Sequence, residues 1–356
     1  MTPAQDDRAA AVALAEYAGL RLPERPRLIP WLVAVPLGDA RLQLRSAESA
    51  HTITSPLLIQ IFLAIRSALD GRHTVDEIVS LAGADVLPTT VVFLLKLLHG
   101  KGLLQPGLGT GALDQQAQAR WRDQLRFLDH FVEDASNAHV ALTGSRVGLI
   151  GSVTLREAIS SSLRDIGIGH LRDLDDLQMR EAESCVADDL RGLDLVVACE
   201  NSRSFSLFEA VNRACLASRT RWLCVSMSGK TARLGPTIVP HQTACYTCLD
   251  IRLRTHQLDA AEYAAFLKHI DAPDGAVDEG SVAPFRSAIA AQAALEAMRL
   301  LTGFSPPVTV GRFYEFTALS PAATVHDVLR LPRCPSCSRR KTLAQAWDRE
   351  FADVAS

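Results

Sequence analysis

The spacing of apolar positions divides this chain into two rhythms. From Leu28 to about Leu104 the runs are short and varied. Trp31-Leu-Val-Ala-Val-Pro and Arg41-Leu-Gln-Leu-Arg, separated by Leu37-Gly38-Asp39, predict a hairpin, and His51–Thr54 predicts a third short strand. Ser55-Pro56 opens a helix over Leu57–Leu69, with serine as cap and proline in the first turn. Thr74-Val-Asp-Glu77 is the signature of a capping box for a second helix. Pro88 opens a third, apolar from Val91 to Leu98 apart from Lys96, and Gly100 and Gly102 stop it. Short strands followed by three helices predict a winged-helix domain over 27–106, preceded by an alanine-rich arm over 1–26.

After a glycine-rich stretch, the segment 107–140 predicts a linker helix, and from 141 onward the rhythm changes. Arg146-Val-Gly-Leu-Ile-Gly reads as a buried strand, Thr154–Ile166 as a helix and His170–Leu174 as a strand. Leu193–Cys199, Leu207–Ser218 and Trp222–Ser226 continue as strand, helix and strand. Strands alternating with helices of this length predict an α/β, Rossmann-like doubly wound parallel sheet over 141–356. Two further helices, Ala260–Ile270 and Ala283–Leu301, and a hairpin around Val310–Val328 follow.

Composition narrows the class of protein rather than the activity. The chain has 356 residues, enough for two or three domains. Its net charge of −3 provides no global basic field for nucleic acid or an anionic membrane. Between Arg27 and Gln105 the basic residues exceed the acidic ones by a single charge, poor support for a duplex reader. No signal peptide or membrane-length apolar run is visible, so a cytoplasmic setting is expected. There cysteines more often hold metal than form disulfides.

Two turns carry most of the chemistry. Cys245-Tyr-Thr-Cys248 and Cys334-Pro-Ser-Cys337 repeat one spacing, which suits four thiolates around one tetrahedral zinc; core cysteines or a redox pair are the alternatives. Such a zinc site is closed and structural. Cys199, Cys215 and Cys224 fall within apolar patterns and read as inert core. The strand-to-helix turn Gly148-Leu-Ile-Gly151-Ser-Val-Thr is where a phosphate would rest on a helix N-terminus. It has two glycines where a dinucleotide turn needs three, with Val153 and Leu155 in place of bare backbone. Asp173 or Asp175 could meet a ribose. The expectation is a degenerate site, with ATP and magnesium not bound.

These cysteine turns, the weakened glycine turn and the order of elements resemble the ThiF/MoeB-type adenylating fold shared with ubiquitin-activating proteins. Asp194-Leu-Val-Val-Ala-Cys-Glu-Asn resembles the strand that carries that family's magnesium-binding aspartate, with Glu200 as the nearby acidic substitute. By that resemblance Lys230 and Arg203 are remnants of phosphate contacts, or plain surface charges. No cysteine lies between Cys248 and Cys334 to form a thioester. One branch fits better: the ThiF-like partner proteins of YcaO cyclodehydratases, the cyclodehydratase C-proteins of azol(in)e-modified peptide biosynthesis. Val328-Leu-Arg-Leu-Pro-Arg-Cys-Pro-Ser-Cys is similar to the closing zinc turn of that branch, and the N-terminal domain resembles a PqqD-like recognition element.

The resemblance implies a protein that binds the leader of a ribosomally made precursor and presents it to a YcaO enzyme. It also allows a dehydrogenase partner and a homodimer. An extended leader would add a strand beside His51–Thr54, with Ile53, Phe93 and Leu97 as candidate anchors; burial of all three in the small domain's core is the alternative. An ATP-dependent adenylating enzyme acting on a peptide or carrier-protein carboxylate or amide is the second reading. A DNA-binding factor is the third.

Overall fold

The computed structural model describes residues 19–38, 41–46, 49–107, 113–175, 179, 190–201, 206–270 and 279–338. The chain divides into two compact units, one ending at Ala138 and the other beginning at His139.

In the first unit, strands β1 (Pro26–Leu28), β2 (Val33–Pro36), β3 (Leu42–Arg45) and β4 (Ala50–Ile53) come first. Helices α1 (Pro56–Ile65), α2 (Val75–Leu81) and α3 (Pro88–Gly100) follow, then β5 (Leu104–Pro106). β2, β3 and β4 form an antiparallel sheet with β4 at one edge, while β1 pairs with β5. The caps behave as the sequence predicts. Ser55 Oγ accepts the Leu58 N–H at 3.4 Å, and Thr74 and Glu77 close their capping box. α1 stops at Ile65 instead of reaching Leu69, because Leu69 is claimed by β1: its carbonyl accepts the Leu28 N–H at 2.9 Å. Leu42, Leu44, Ile61, Phe62, Ile65, Leu94 and Leu95 form the core between sheet and helices.

The segment after β5 is not a single helix. It runs as α4 (Gln115–Arg120), α5 (Arg122–Leu128) and α6 (Ala135–Gly144). The break between the first two falls at Trp121, whose φ of −101° and ψ of 14° leave helical geometry. A nearly buried ion pair, Arg27 Nη2 to Asp129 Oδ1 at 2.9 Å, ties the stretch after α5 back to β1. Gln105 Nε2 donates to the Asp129 carbonyl at 2.9 Å and satisfies a further buried group.

The second unit is built on a seven-stranded sheet. Its strands are β6 (Arg146–Gly151), β7 (His170–Asp173), β8 (Leu195–Glu200), β9 (Trp222–Ser228), β10 (Thr231–Ile238), β11 (Arg312–Thr317) and β12 (Ser320–Asp327). Their order is β12-β11-β10-β9-β8-β6-β7. β7, β6, β8 and β9 are parallel, as the alternating rhythm predicts; β10, β11 and β12 are antiparallel, so the sheet is mixed. β8 is buried at every position, as its apolar run Leu195–Cys199 requires of a strand covered on both faces, and it ends on the buried Glu200. β10 has no clear periodic signal because Gly235 and Pro236 interrupt it; a short turn at Gly229-Lys230 makes it antiparallel to β9.

Helices α7 (Val153–Asp165), α8 (Ser206–Ser218), α9 (Tyr246–Thr255), α10 (Ala260–Ile270) and α11 (Ala283–Thr302) complete the unit. α11 lies along α7, and its buried Ala290, Ala293, Ala294 and Ala297 leave space for close approach. No described helix is long and apolar enough to cross a membrane.

Candidate metal centre and the glycine turn

Chain order alone leaves the two cysteine pairs far apart; the fold brings them together. Cys245 caps α9, so its pair occupies the first turn of that helix. Cys334 and Cys337 follow β12 on a turn closed by Ser338 N–H to the Cys334 carbonyl at 3.1 Å. The sulfurs of Cys245 and Cys248 are 3.8 Å apart, those of Cys245 and Cys334 3.6 Å, and those of Cys248 and Cys337 3.6 Å. All four lie within 4.8 Å of one another and all four residues are buried. A disulfide needs about 2.05 Å, so these are thiols or thiolates. A tetrahedral ion about 2.3 Å from each sulfur needs about 3.8 Å between sulfurs, and the set fits it. The four cysteines can therefore hold a metal ion.

The surroundings hold the ligands in place. Asn212 Oδ1 on α8 accepts the Tyr246 N–H at 3.0 Å, fixing the start of α9. Leu331 N–H donates to Cys248 Sγ at 3.4 Å, a bond suited to a thiolate. Burial pushes the Cys245 and Cys248 thiols above the usual range. At Cys334 burial also opposes ionisation, but N–H donation from Cys337 and Ser336 outweighs it and holds that thiol low. A divalent cation would remove the cost of burying four thiolates. Burial pushes the Cys215 and Cys224 thiols up, at Cys224 against the opposing charge of Arg233, as inert core thiols should be.

The glycine turn after β6 is packed by the protein's own chain. Gly151 has φ of +113°, and a Cβ there would lie 1.7 Å from the Cys199 carbonyl oxygen. Its role is to let β6 end against β8. A Cβ on Gly148 would meet Leu193 and Leu174 side chains within 3 Å, so that glycine also serves internal packing. Ser152, the cap residue of α7, makes no capping bond. Its Oγ instead donates to Glu200 Oε2 at 3.1 Å and accepts the Asn201 N–H at 2.8 Å. Asn201 Nδ2 reaches Thr154 Oγ1 at 2.5 Å. A buried carboxylate thus stands at the helix N-terminus where a phosphate would rest.

The other sequence-chosen residues scatter. Asp173 is exposed at the end of β7, with Arg156 Nε 3.5 Å away. Lys230 is exposed in the β9–β10 turn, and its carbonyl accepts the Ala318 N–H at 2.8 Å. Arg203 lies outside the described residues. In the first unit Ile53 is 8% exposed and belongs to the core, whereas Phe93 and Leu97 on α3 are half-buried. Ser152 and Asn201 stand in the two segments that the sequence marks out, but spacing does not show that they meet and fill the turn. The signal available was a polar residue directly after Gly151 and directly after Glu200.

Comparison with known proteins follows this geometry. The ThiF family model matches residues 136–338. Protein HesA of Leptolyngbya boryana is 29% identical over 169 residues, 46% of this chain and 53% of HesA. The heterocyclase TruD has a similar structure, with a TM-score of 0.65 at 19% identity over 91% of this chain and 44% of TruD. Escherichia coli MccB, in a structure with AMPCPP and MccA, gives 0.60 at 14% identity over 88% of this chain and 97% or more of MccB, 99% in that structure. The structural likenesses establish shared fold. The chain spans about half of HesA, less than half of TruD and nearly all of MccB.

Proposed function

The chain belongs to the ThiF family, and from that premise we propose that it is a peptide-presenting subunit without adenylating activity of its own. Its first unit, read as a winged-helix recognition domain over 27–106, binds the leader of a ribosomally made precursor. Its second presents the core peptide to a separate YcaO cyclodehydratase, which spends ATP to form azolines on Cys, Ser or Thr. The observation that carries this reading is the Ser152–Glu200 contact at 3.1 Å. The Ser152 hydroxyl is thereby taken up by Glu200, whose buried side chain stands at the helix end that a phosphate would have to enter.

Leader capture would use the free edge of β4, which pairs only with β3 among the described residues. Strand addition supplies backbone hydrogen bonds, and apolar leader side chains settle beside Phe93 and Leu97. Ile53 is already committed to the core and is not an anchor in this scheme. The ion in the cysteine site is zinc, chosen by four sulfur ligands and a closed shell. It holds the β12 end of the chain to α9 and has no open position for substrate.

Fluorescence titration of the full chain with a labelled leader from its own gene cluster tests the reading. Saturable binding together with flat pyrophosphate–ATP exchange is expected; no binding to any such leader would sink it. A specific observation supports the second reading, an adenylating enzyme. The chain spans nearly all of MccB, a structure of which includes a nucleotide analogue. Glu200 would then be the residue to hold magnesium, and peptide-dependent pyrophosphate exchange would favour that reading.

A further inference from the structure

At the end of the sheet opposite the Gly151 turn is a cavity of about 890 Å³. It lies where β8 and β9 begin and β10 ends, and its walls include Arg191, Asp194, Arg219, Arg221, His241 and Gln242. Only two described non-glycine residues adopt positive φ, Arg219 at +62° and His241 at +66°. Both line this cavity.

Each occupies a position where local geometry favours glycine. Arg219 directly follows α8, and Thr220 N–H donates to the Cys215 carbonyl at 3.1 Å, closing a Schellman turn. His241 follows Pro240 in the turn Val239–Gln242, closed by Gln242 N–H to the Val239 carbonyl at 3.1 Å. Left-handed backbone at a side-chain-bearing residue is a local cost that accumulates at functional sites. Two such costs on one wall point to what those side chains do there.

Among the described lining residues there are three arginines and one carboxylate, and Asp194 Oδ2 already accepts the Arg146 N–H at 2.8 Å. Arg221 is held by donation to the Asp194 carbonyl at 2.7 Å and the Leu300 carbonyl at 2.9 Å. Arg219 has no side-chain hydrogen bond or ion pair among the described residues. We propose that this cavity binds a small phosphate-bearing anion, with Arg219 as principal ligand and Arg191, Arg221 and His241 around it. A phosphate offers nearly two negative charges and three acceptors at neutral pH, which suits forked guanidinium donors better than one carboxylate does.

Calorimetric titration of the metal-loaded full chain with pyrophosphate, with citrate as the carboxylate comparison, tests this. The wild type should bind pyrophosphate saturably, more tightly than citrate, and more weakly as salt is added. Arg219→Gly should lower affinity at least about tenfold, the loss of a charge-assisted bond, while its Tm stays level or rises because glycine suits that turn. His241→Gly should behave alike with a smaller loss. Unchanged affinity in Arg219→Gly would overturn the assignment and place any bound pyrophosphate elsewhere, the Gly151 turn included. A fall in Tm in that variant, tighter citrate binding, or no saturable binding at millimolar pyrophosphate would overturn it too. Leader titration is independent of these outcomes, so failure here leaves the peptide reading intact.

Discussion

Thr247 and Ser336 hold equivalent places in the two cysteine turns, each just before the second cysteine, and their hydroxyl oxygens are 2.8 Å apart. The turns are therefore joined by a protein hydrogen bond as well as by the four sulfurs. That separates two contributions, because a bond of this kind is worth about 1 kcal/mol whereas structural zinc contributes on the order of 10 kcal/mol. Thr247→Ala should leave metal stoichiometry at one per chain and lower stability by about 1 kcal/mol. Cys248→Ser should lose both metal and the folded second unit. Elemental analysis and thermal melts on both variants check the contrast; full metal content and an unchanged melt in Cys248→Ser would contradict a shared site.

Gly151→Ala tests whether the turn is filled by protein. With φ at +113° and the Cys199 oxygen in the path of a Cβ, the substitution should destabilise the chain by at least about 3 kcal/mol without any nucleotide present. Urea unfolding measures it. A wild-type melting curve would mean that β6 and β8 do not close as described.

The peptide surface makes a paired prediction. Ile53→Ala removes core volume and should cost about 2–4 kcal/mol of stability. Phe93→Ala should weaken leader binding at least about tenfold, or 1.4 kcal/mol, with a smaller loss of stability. Denaturant melts and leader titrations on both variants separate anchor from core. Equal leader affinity in Phe93→Ala would remove α3 from the binding surface.

The capping box at α2 predicts a pH effect. The Thr74 N–H, donating to Glu77 Oε2 at 2.7 Å, holds the Glu77 carboxyl below its ordinary range, with the Thr74 hydroxyl adding to it. A lowered folded-state value means the stabilisation is complete above the unfolded value and is lost as pH falls through the folded one. Glu77→Gln should therefore be less stable than wild type near neutral pH, and the two should converge only once the pH has fallen below the folded-state value. Melts at a series of pH values read this directly; a constant gap across the range would assign the effect to something other than charge.

Much of the local architecture was legible from residues alone. Ser55-Pro56 and Thr74–Glu77 announced their helices because a cap and its partner are close in sequence. Continuous apolar runs marked β6 and β8 as buried. β10 was hidden because Gly235 and Pro236 break its pattern, and the helix after β5 was over-extended because nothing local reveals the change of direction at Trp121.

The sequence by itself determined which segments carry apolar faces, which turns carry paired thiols, and that the glycine turn is poor in glycine. Those properties depend on neighbours a few residues apart. Only the tertiary structure decided that four sulfurs converge, that Glu200 rather than solvent faces Ser152, that Ile53 points inward, and that Arg219 and His241 share one cavity. Each of those depends on which distant segment closes against which, and side-chain spacing along the chain contains no record of that choice.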